Sequence, residues 1–140
     1  MSNIIDPLKD IYSNFDLAAV KRLGEIYDRN VVFRDPLHEL DGLDDMQDYF
    51  LKLSETIDYC KFSFGDELVS ENKAYLSWKM FFRHRQLNRG NEIVLRGVSH
   101  IEFAEKIVYH EDYYDMGEMV YEHVPIFGRT VRWLKRRMLG

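Results

Sequence analysis

Hydrophobic positions along the first third of the chain recur at steps of three and four. Leu8, Ile11, Tyr12 and Phe15 mark a short amphipathic helix, and Asp6 followed by Pro7 reads as its N-cap and first helical residue. Asp16 reads as a second N-cap, with Leu17, Val20, Leu23 and Tyr27 behind it. Both helices are short and need tertiary packing to persist. Val31, Val32 and Phe33 form a brief β-rich run stopped by Pro36, and residues 36–42 read as a loop. A third helix is predicted from about Leu43 to Thr56. Leu43, Met46, Phe50, Leu53 and Ile57 make its apolar stripe, and Asp44, Asp45 and Asp48 lie where the helix dipole favours negative charge.

From Tyr59 onward the period becomes two. Cys60, Phe62 and Phe64 alternate with Tyr59, Lys61 and Ser63. Leu76, Trp78, Met80, Phe82 and His84 share one face of the next strand, and Tyr75, Ser77, Lys79, Phe81 and Arg83 the other. A turn at Asn88, Gly90 and Asn91 leads to Ile93, Leu95, Gly97, Ser99, Ile101 and Phe103 on one face, with Val94, Arg96, Val98 and His100 opposite. A last strand runs from Ile107 to about Asp115. Long strands joined by short turns predict an antiparallel meander whose apolar face the early helices cover, an α+β fold. Gly97 and Ser99 among large aromatics predict a curved, cone-shaped sheet with an apolar pocket inside it.

The 140 residues suit one domain, and 46 % hydrophobic and 14 % aromatic residues supply a core. Cys60 is the single cysteine, so neither a disulfide nor a cysteine-built zinc cluster can form within the chain. The first residues lack a signal-peptide pattern and no apolar run is long enough to span a bilayer, so a cytoplasmic protein is expected. Net charge is −5, yet Arg129, Arg132, Lys135, Arg136 and Arg137 crowd the last dozen residues. The acidic remainder argues against nucleic acid as a partner. No His-Glu-x-x-His spacing, phosphate loop or nucleophile motif occurs, so no metal or cofactor is expected.

Two segments carry a resemblance. IYDRNVVFRDPLHELDGLDDMQDYF, Ile26–Phe50, joins a tyrosine, a short strand ending in Asp-Pro, a loop and an amphipathic helix; LRGVSHIEFAEKIVYHEDYYD, Leu95–Asp115, is a pair of final strands. Over residues 5–115 the chain resembles the SnoaL-like branch of the nuclear transport factor 2-like superfamily. That resemblance implies a cone domain over residues 1–115 and leaves 116–140 as an extension. The superfamily includes ketosteroid isomerases, polyketide cyclases, epoxide hydrolases, dehydratases and members that only bind or dimerise, so fold does not choose the activity.

The resemblance makes Asp112, in the last strand, the closest match to the base of the polyketide cyclases. It would remove a proton next to a carbonyl while His110 or a tyrosine holds the enolate oxygen. Unbroken alternation, however, puts Ile107 opposite His110 and Asp112, which turns Asp112 outward unless a bulge intervenes. Asp35 has two readings: a carboxylate made more basic at the pocket mouth, or an organiser of the Asp-Pro turn. His38 lies on the same loop, and His84 reads as a pocket acid–base group or as a strand end in solvent. His100 belongs to the outer face, and His123 to the extension. Phe33, Phe62, Phe64, Trp78, Met80, Phe82, Ser99, Phe103 and Tyr114 are the expected walls, although the same side chains could form a solid core. The expected function is cofactor-free isomerisation, cyclisation or dehydration of a small apolar molecule bearing a carbonyl or hydroxyl. The alternative is a non-catalytic dimeric domain that binds a ligand or a protein, and a homodimer is expected in either case. In the extension Phe127, Val131, Leu134 and Met138 form an apolar stripe with Trp133 at its edge. Docking on the cone or on a partner subunit is the favoured reading; contact of 126–140 with an anionic membrane is the weaker one.

Overall fold

The computed structural model describes residues 3–119 and 125–140. Helix α1 spans Ile5–Ser13 and buries Ile5, Leu8, Ile11 and Tyr12. Ile4, not Asp6, holds the cap position, and one residue before it the Asn3 side-chain oxygen accepts from the amides of Ile5 and Asp6, which brings Asp6 and Pro7 inside the first turn. Asp16 caps α2, Leu17–Lys21, by accepting from the Ala19 amide at 2.9 Å. A 3-10 turn at Leu23–Glu25 ends this helical stretch. Tyr27 therefore does not end a helix; it opens strand β1, Tyr27–Arg34.

The Asp-Pro loop holds a short strand, β2, Glu39–Asp41, antiparallel to β1. Gly42, with φ of 96°, turns the chain into α3, Leu43–Ser54, whose Met46 is fully buried. Ile57 belongs to β3, Ile57–Val69, not to the helix. Strands β4, Lys73–His84, β5, Ile93–Phe103, and β6, Ile107–Tyr114, complete a six-stranded sheet of order β2-β1-β6-β5-β4-β3. The β3 to β6 meander is antiparallel and β1 joins β6 in parallel. Two helices follow, the single-turn α4 at Met116–Met119 and the longer α5 at Pro125–Met138.

Helices α1 to α3 cover one face of the sheet. Leu8, Ile11, Val20, Leu23, Val31, Phe33, Met46, Leu76, Ile101 and Ile107 make one buried cluster there, and Trp78, Phe82, Ile93 and Leu95 a second. Alternation assigned both faces of β4 and β5 as observed. In β6 it fails, because Val108 is an extra residue: Glu102 pairs with Tyr109 but Phe103 pairs with Ile107. A bulge of this kind reverses the side-chain phase. Ile107 and His110 are consequently both buried on the inner face, while Val108 is exposed.

Candidate active site

The bulge at Val108 decides the site, because it turns His110 and Asp112 inward together. Their side chains are 3 % and 14 % exposed, and His110 Nε2 lies 2.7 Å from Asp112 Oδ1. Asp112 pairs across the sheet with Ser99, whose Oγ donates to the same Oδ1 at 2.5 Å. Ser99 in turn accepts from Trp78 Nε1 at 2.8 Å. On the other side His110 Nδ1 lies 2.7 Å from the Tyr27 hydroxyl, which is 2.7 Å from the Tyr12 hydroxyl. Six side chains from α1, β1, β4, β5 and β6 thus form one unbroken polar chain through the core.

Chemistry fixes the direction of its bonds. An indole N–H can only donate, so Ser99 accepts from Trp78 and gives its own proton to Asp112. A carboxylate can only accept, so with His110 neutral Nε2 carries the proton, Nδ1 accepts from Tyr27, and Tyr27 accepts from Tyr12. Both arms therefore end on Asp112 Oδ1. Burial, joined by the negative charge of Asp112, pushes the phenols of Tyr12 and Tyr27 well above the usual tyrosine range, so both stay protonated. Among the described residues no hydrogen bond reaches Asp112 Oδ2.

A small cavity meets this chain. Leu8, Tyr12, Phe62, Phe64, Trp78, Ser99, His110 and Asp112 line it, and its free space holds about one water molecule. The room expected beside Gly97 and Ser99 is taken by Trp78. Gly97 is its cross-strand partner, and a Cβ on Gly97 would stand 2.3 Å from Trp78 Cη2. Of the expected walls, Phe62, Phe64, Trp78 and Ser99 border the cavity. Phe33 lies behind it, its ring centroid 4.9 Å from that of His110. Met80, Phe82 and Tyr114 pack in the second apolar cluster, and Phe103 borders a separate surface groove with Asn3, Ile4 and Ile5.

Asp35 lies one position beyond the β1–β6 pairing of Arg34 with Glu111, so the continued register sets it beside Asp112. Its Oδ1 accepts from the amides of Leu37 and His38, both at 2.8 Å, which is the turn-organising role. Burial nevertheless raises its carboxyl above the usual range, and the charge of Asp112 adds to the rise against the pull of those amides. Burial, with Asp35 nearby, pushes Tyr49 up to about 12 and holds Tyr114 higher still, so both phenols stay protonated. His38 is exposed, 3.8 Å from Asp35 and packed on the Tyr49 ring; it does not join the Asp112 chain. His84 accepts from the Gln86 amide in a turn, and His100 stacks on Tyr75 on the outer face. His123 lies outside the described residues. Among the described residues no group of three or more His, Cys, Asp or Glu is clustered to hold a metal ion.

Tyr12 and Tyr27 were missed by sequence reasoning. Each shares an apolar periodicity with ordinary core residues, and only the pairing of β1 with β6 brings Tyr27 to His110.

The model of the SnoaL-like domain family matches residues 8–110. No curated relative matches the chain significantly. Among solved structures, an NTF2-like protein of unknown function from Burkholderia pseudomallei superposes with a TM-score of 0.73 at 16 % identity, covering 85 % of this chain and 95 % of that one. A protein of ketosteroid isomerase-like fold from Catenulispora acidiphila, in complex with trimethylamine, gives 0.73 at 10 % identity over 88 % and 92 %. A proposed SnoaL-like polyketide cyclase from Shewanella putrefaciens gives 0.69 at 13 % identity over 83 % and 90 %. Identities this low speak for the fold alone, and the family match speaks for kinship: this chain belongs to the SnoaL-like domain family, with the cone fold of the NTF2-like proteins.

Proposed function

We propose that the chain is a small-molecule enzyme whose base is Asp112. The observation that carries this reading is the convergence of both hydrogen-bonded arms on Oδ1 of an Asp112 that lines an aromatic cavity and whose Oδ2 takes no hydrogen bond among the described residues. A carboxylate held in that way can take a proton from carbon next to a carbonyl without reorienting. Tyr12 and His110 border the same cavity, with their protons committed to Tyr27 and to Asp112 Oδ1, so they hold the carboxylate in place rather than the substrate. The substrate is a small, apolar molecule with a carbonyl or hydroxyl, and the reaction is isomerisation, cyclisation or dehydration. The Shewanella neighbour, itself only proposed as a polyketide cyclase, supports the reaction class by analogy of fold. A cytoplasmic setting fits the reading, since Cys60 is a free thiol.

The test is deuterium incorporation next to the carbonyl of a panel of cyclic ketones in heavy water. Wild-type chain should accelerate exchange for at least one ketone, and Asp112→Asn should lose about a hundredfold or more. Exchange at the buffer rate across the panel, or an undiminished Asp112→Asn, refutes the proposal.

The tightness of the cavity favours a second reading, a non-catalytic dimeric binding domain. The outer sheet face supports the dimer, because Tyr75, Val94, Val98, Val108 and Tyr113 are all exposed on it. Sedimentation velocity of wild type against Val98→Glu distinguishes a dimer through this face from a monomer.

A further inference from the structure

The helix α5 lies outside the matched family span, and its own domain leaves Leu134 and Met138 of its apolar stripe exposed. Its contact with the body runs, among the described residues, through Gly128, Val131 and Lys135. Gly128 is buried, Val131 packs near Gly117, and Lys135 Nζ lies 3.5 Å from Asp115 Oδ2. Docking over the cone, one half of the favoured expectation, therefore does not extend to Leu134 and Met138; the other half is docking on a partner subunit. Leu134 is 50 % exposed and Met138 86 %, and Trp133 and Leu139 are exposed beside them. The Phe127 side chain lies outside the description.

At about 100° per residue Leu134 and Met138 fall about 40° apart, and Arg132 and Arg136 each lie about 160° from Leu134. The helix thus presents an apolar face and an opposite face that carries Arg129, Arg132 and Arg136. Residues 125–140 hold five Lys and Arg and no Asp or Glu. The whole chain carries −5, so residues 1–124 carry −10. Trp133 sits on the flank with the Arg137 guanidinium 5.4 Å from its ring, an amphipathic pair suited to a polar–apolar boundary.

We infer that α5 lies on an anionic lipid bilayer, with Leu134 and Met138 in the acyl boundary and the basic side chains among the headgroups. Opposite charge and an exposed apolar stripe are the two features that such a surface requires together. The acidic body does not prevent it, because charges more than about 8 Å from the lipid are screened at physiological salt. A second copy of this chain is the poorer occupant. The outer sheet face it offers carries Lys79 and Arg96 as well as Glu102 and Glu111, so it lacks the uniform negative charge that an anionic bilayer presents to a basic helix. This inference is independent of the activity proposed for Asp112.

The test is co-sedimentation of the full chain with vesicles of 70 % phosphatidylcholine and 30 % phosphatidylserine, against pure phosphatidylcholine, at low and high salt. Wild type should pellet with the anionic vesicles only and be released by salt. Leu134→Glu with Met138→Glu should abolish pelleting. Both sites are exposed, so thermal melting should match wild type. Arg129→Gln with Arg136→Gln, which keeps the stripe, should weaken binding by about tenfold or more. Three results would overturn the inference: wild type remaining in the supernatant, either double variant pelleting as well as wild type, or the glutamate variant changing the sedimentation coefficient of vesicle-free protein. The last would place the stripe against another copy.

Discussion

Replacing Gly97 by alanine adds one methyl group where Trp78 already is. The new Cβ would stand 2.3 Å from Trp78 Cη2, 2.5 Å from Cζ2 and 2.8 Å from the Tyr113 carbonyl oxygen. Ordinary contact begins near 3.4 Å, so the indole must retreat by about 1 Å. It is poorly placed to do so. Its Nε1 is bonded to Ser99, and its ring lies edge-on to Phe62 with centroids 5.1 Å apart. Overpacking of this kind costs about 1–3 kcal/mol, and a lost buried hydrogen bond costs about 1 kcal/mol more. Gly97→Ala should therefore destabilise the fold by about 2–4 kcal/mol, a fall of roughly 6–12 °C in Tm. Urea unfolding followed by tryptophan fluorescence measures it, and Trp133, on an exposed helix, is the internal reference in the indole N–H spectrum. A double-mutant cycle isolates the cause. In a Trp78→Leu background the same methyl should cost at least about 1 kcal/mol less. An equal cost in both backgrounds, or a cost below about 0.5 kcal/mol in the wild-type background, refutes the claim that Trp78 occupies the space Gly97 leaves.

Three other perturbations probe the interior. Tyr27→Phe leaves Tyr12 and His110 Nδ1 buried without their partner, so a loss of about 2–4 kcal/mol in chemical denaturation is expected, with a shifted His110 ring-nitrogen signal; an unmoved signal contradicts the chain as drawn. Asp35 has a carboxyl raised above 3.8, so just above that value the fold binds more protons than the unfolded chain and loses stability as pH rises through the folded pKa. Asp35→Asn lacks this loss, and its stability relative to wild type should climb from about pH 3 to about pH 7; a flat difference argues against a buried Asp35. Burial pushes the Cys60 thiol up to about 12, so alkylation of the native protein at about pH 8 should run roughly a thousandfold slower than in urea, and comparable rates would mean an accessible thiolate.

Much of this arrangement was legible as periodicity. Strands β4 and β5 alternate without interruption, so the sequence assigned Trp78, Phe82, Ser99 and Ile101 to the interior and Tyr75, Val98 and His100 to the outside. Asp112 was named as the base on resemblance, yet plain alternation pointed it outward. One inserted residue, Val108, reverses the phase of β6, and nothing in Ile-Val-Tyr-His distinguishes a bulged strand from a regular one. The start of α1 was decided by a similar near-tie: Asn3 and Asp6 both carry capping side chains, and the first-turn amides took the earlier one. The pocket was overestimated for a different reason. Gly97 and Ser99 indicate missing side-chain volume, but only cross-strand pairing shows that Trp78 fills it.

Trp78 links these facts. An indole crossing a glycine excludes water from Ser99, and its N–H, which cannot accept, forces the serine proton toward Asp112. A hydroxyl facing water could turn either way; this one cannot. The Tyr12–Tyr27–His110 arm approaches the same oxygen from helix α1 and strand β1, whose side chains are equally buried. The orientation of the carboxylate is therefore set by residues far apart in sequence, each of which also packs the core. Stability and chemistry share the same atoms here, so a substitution that empties the cavity to admit a larger ligand, such as Trp78→Ala, also releases Ser99 and loosens the base it holds.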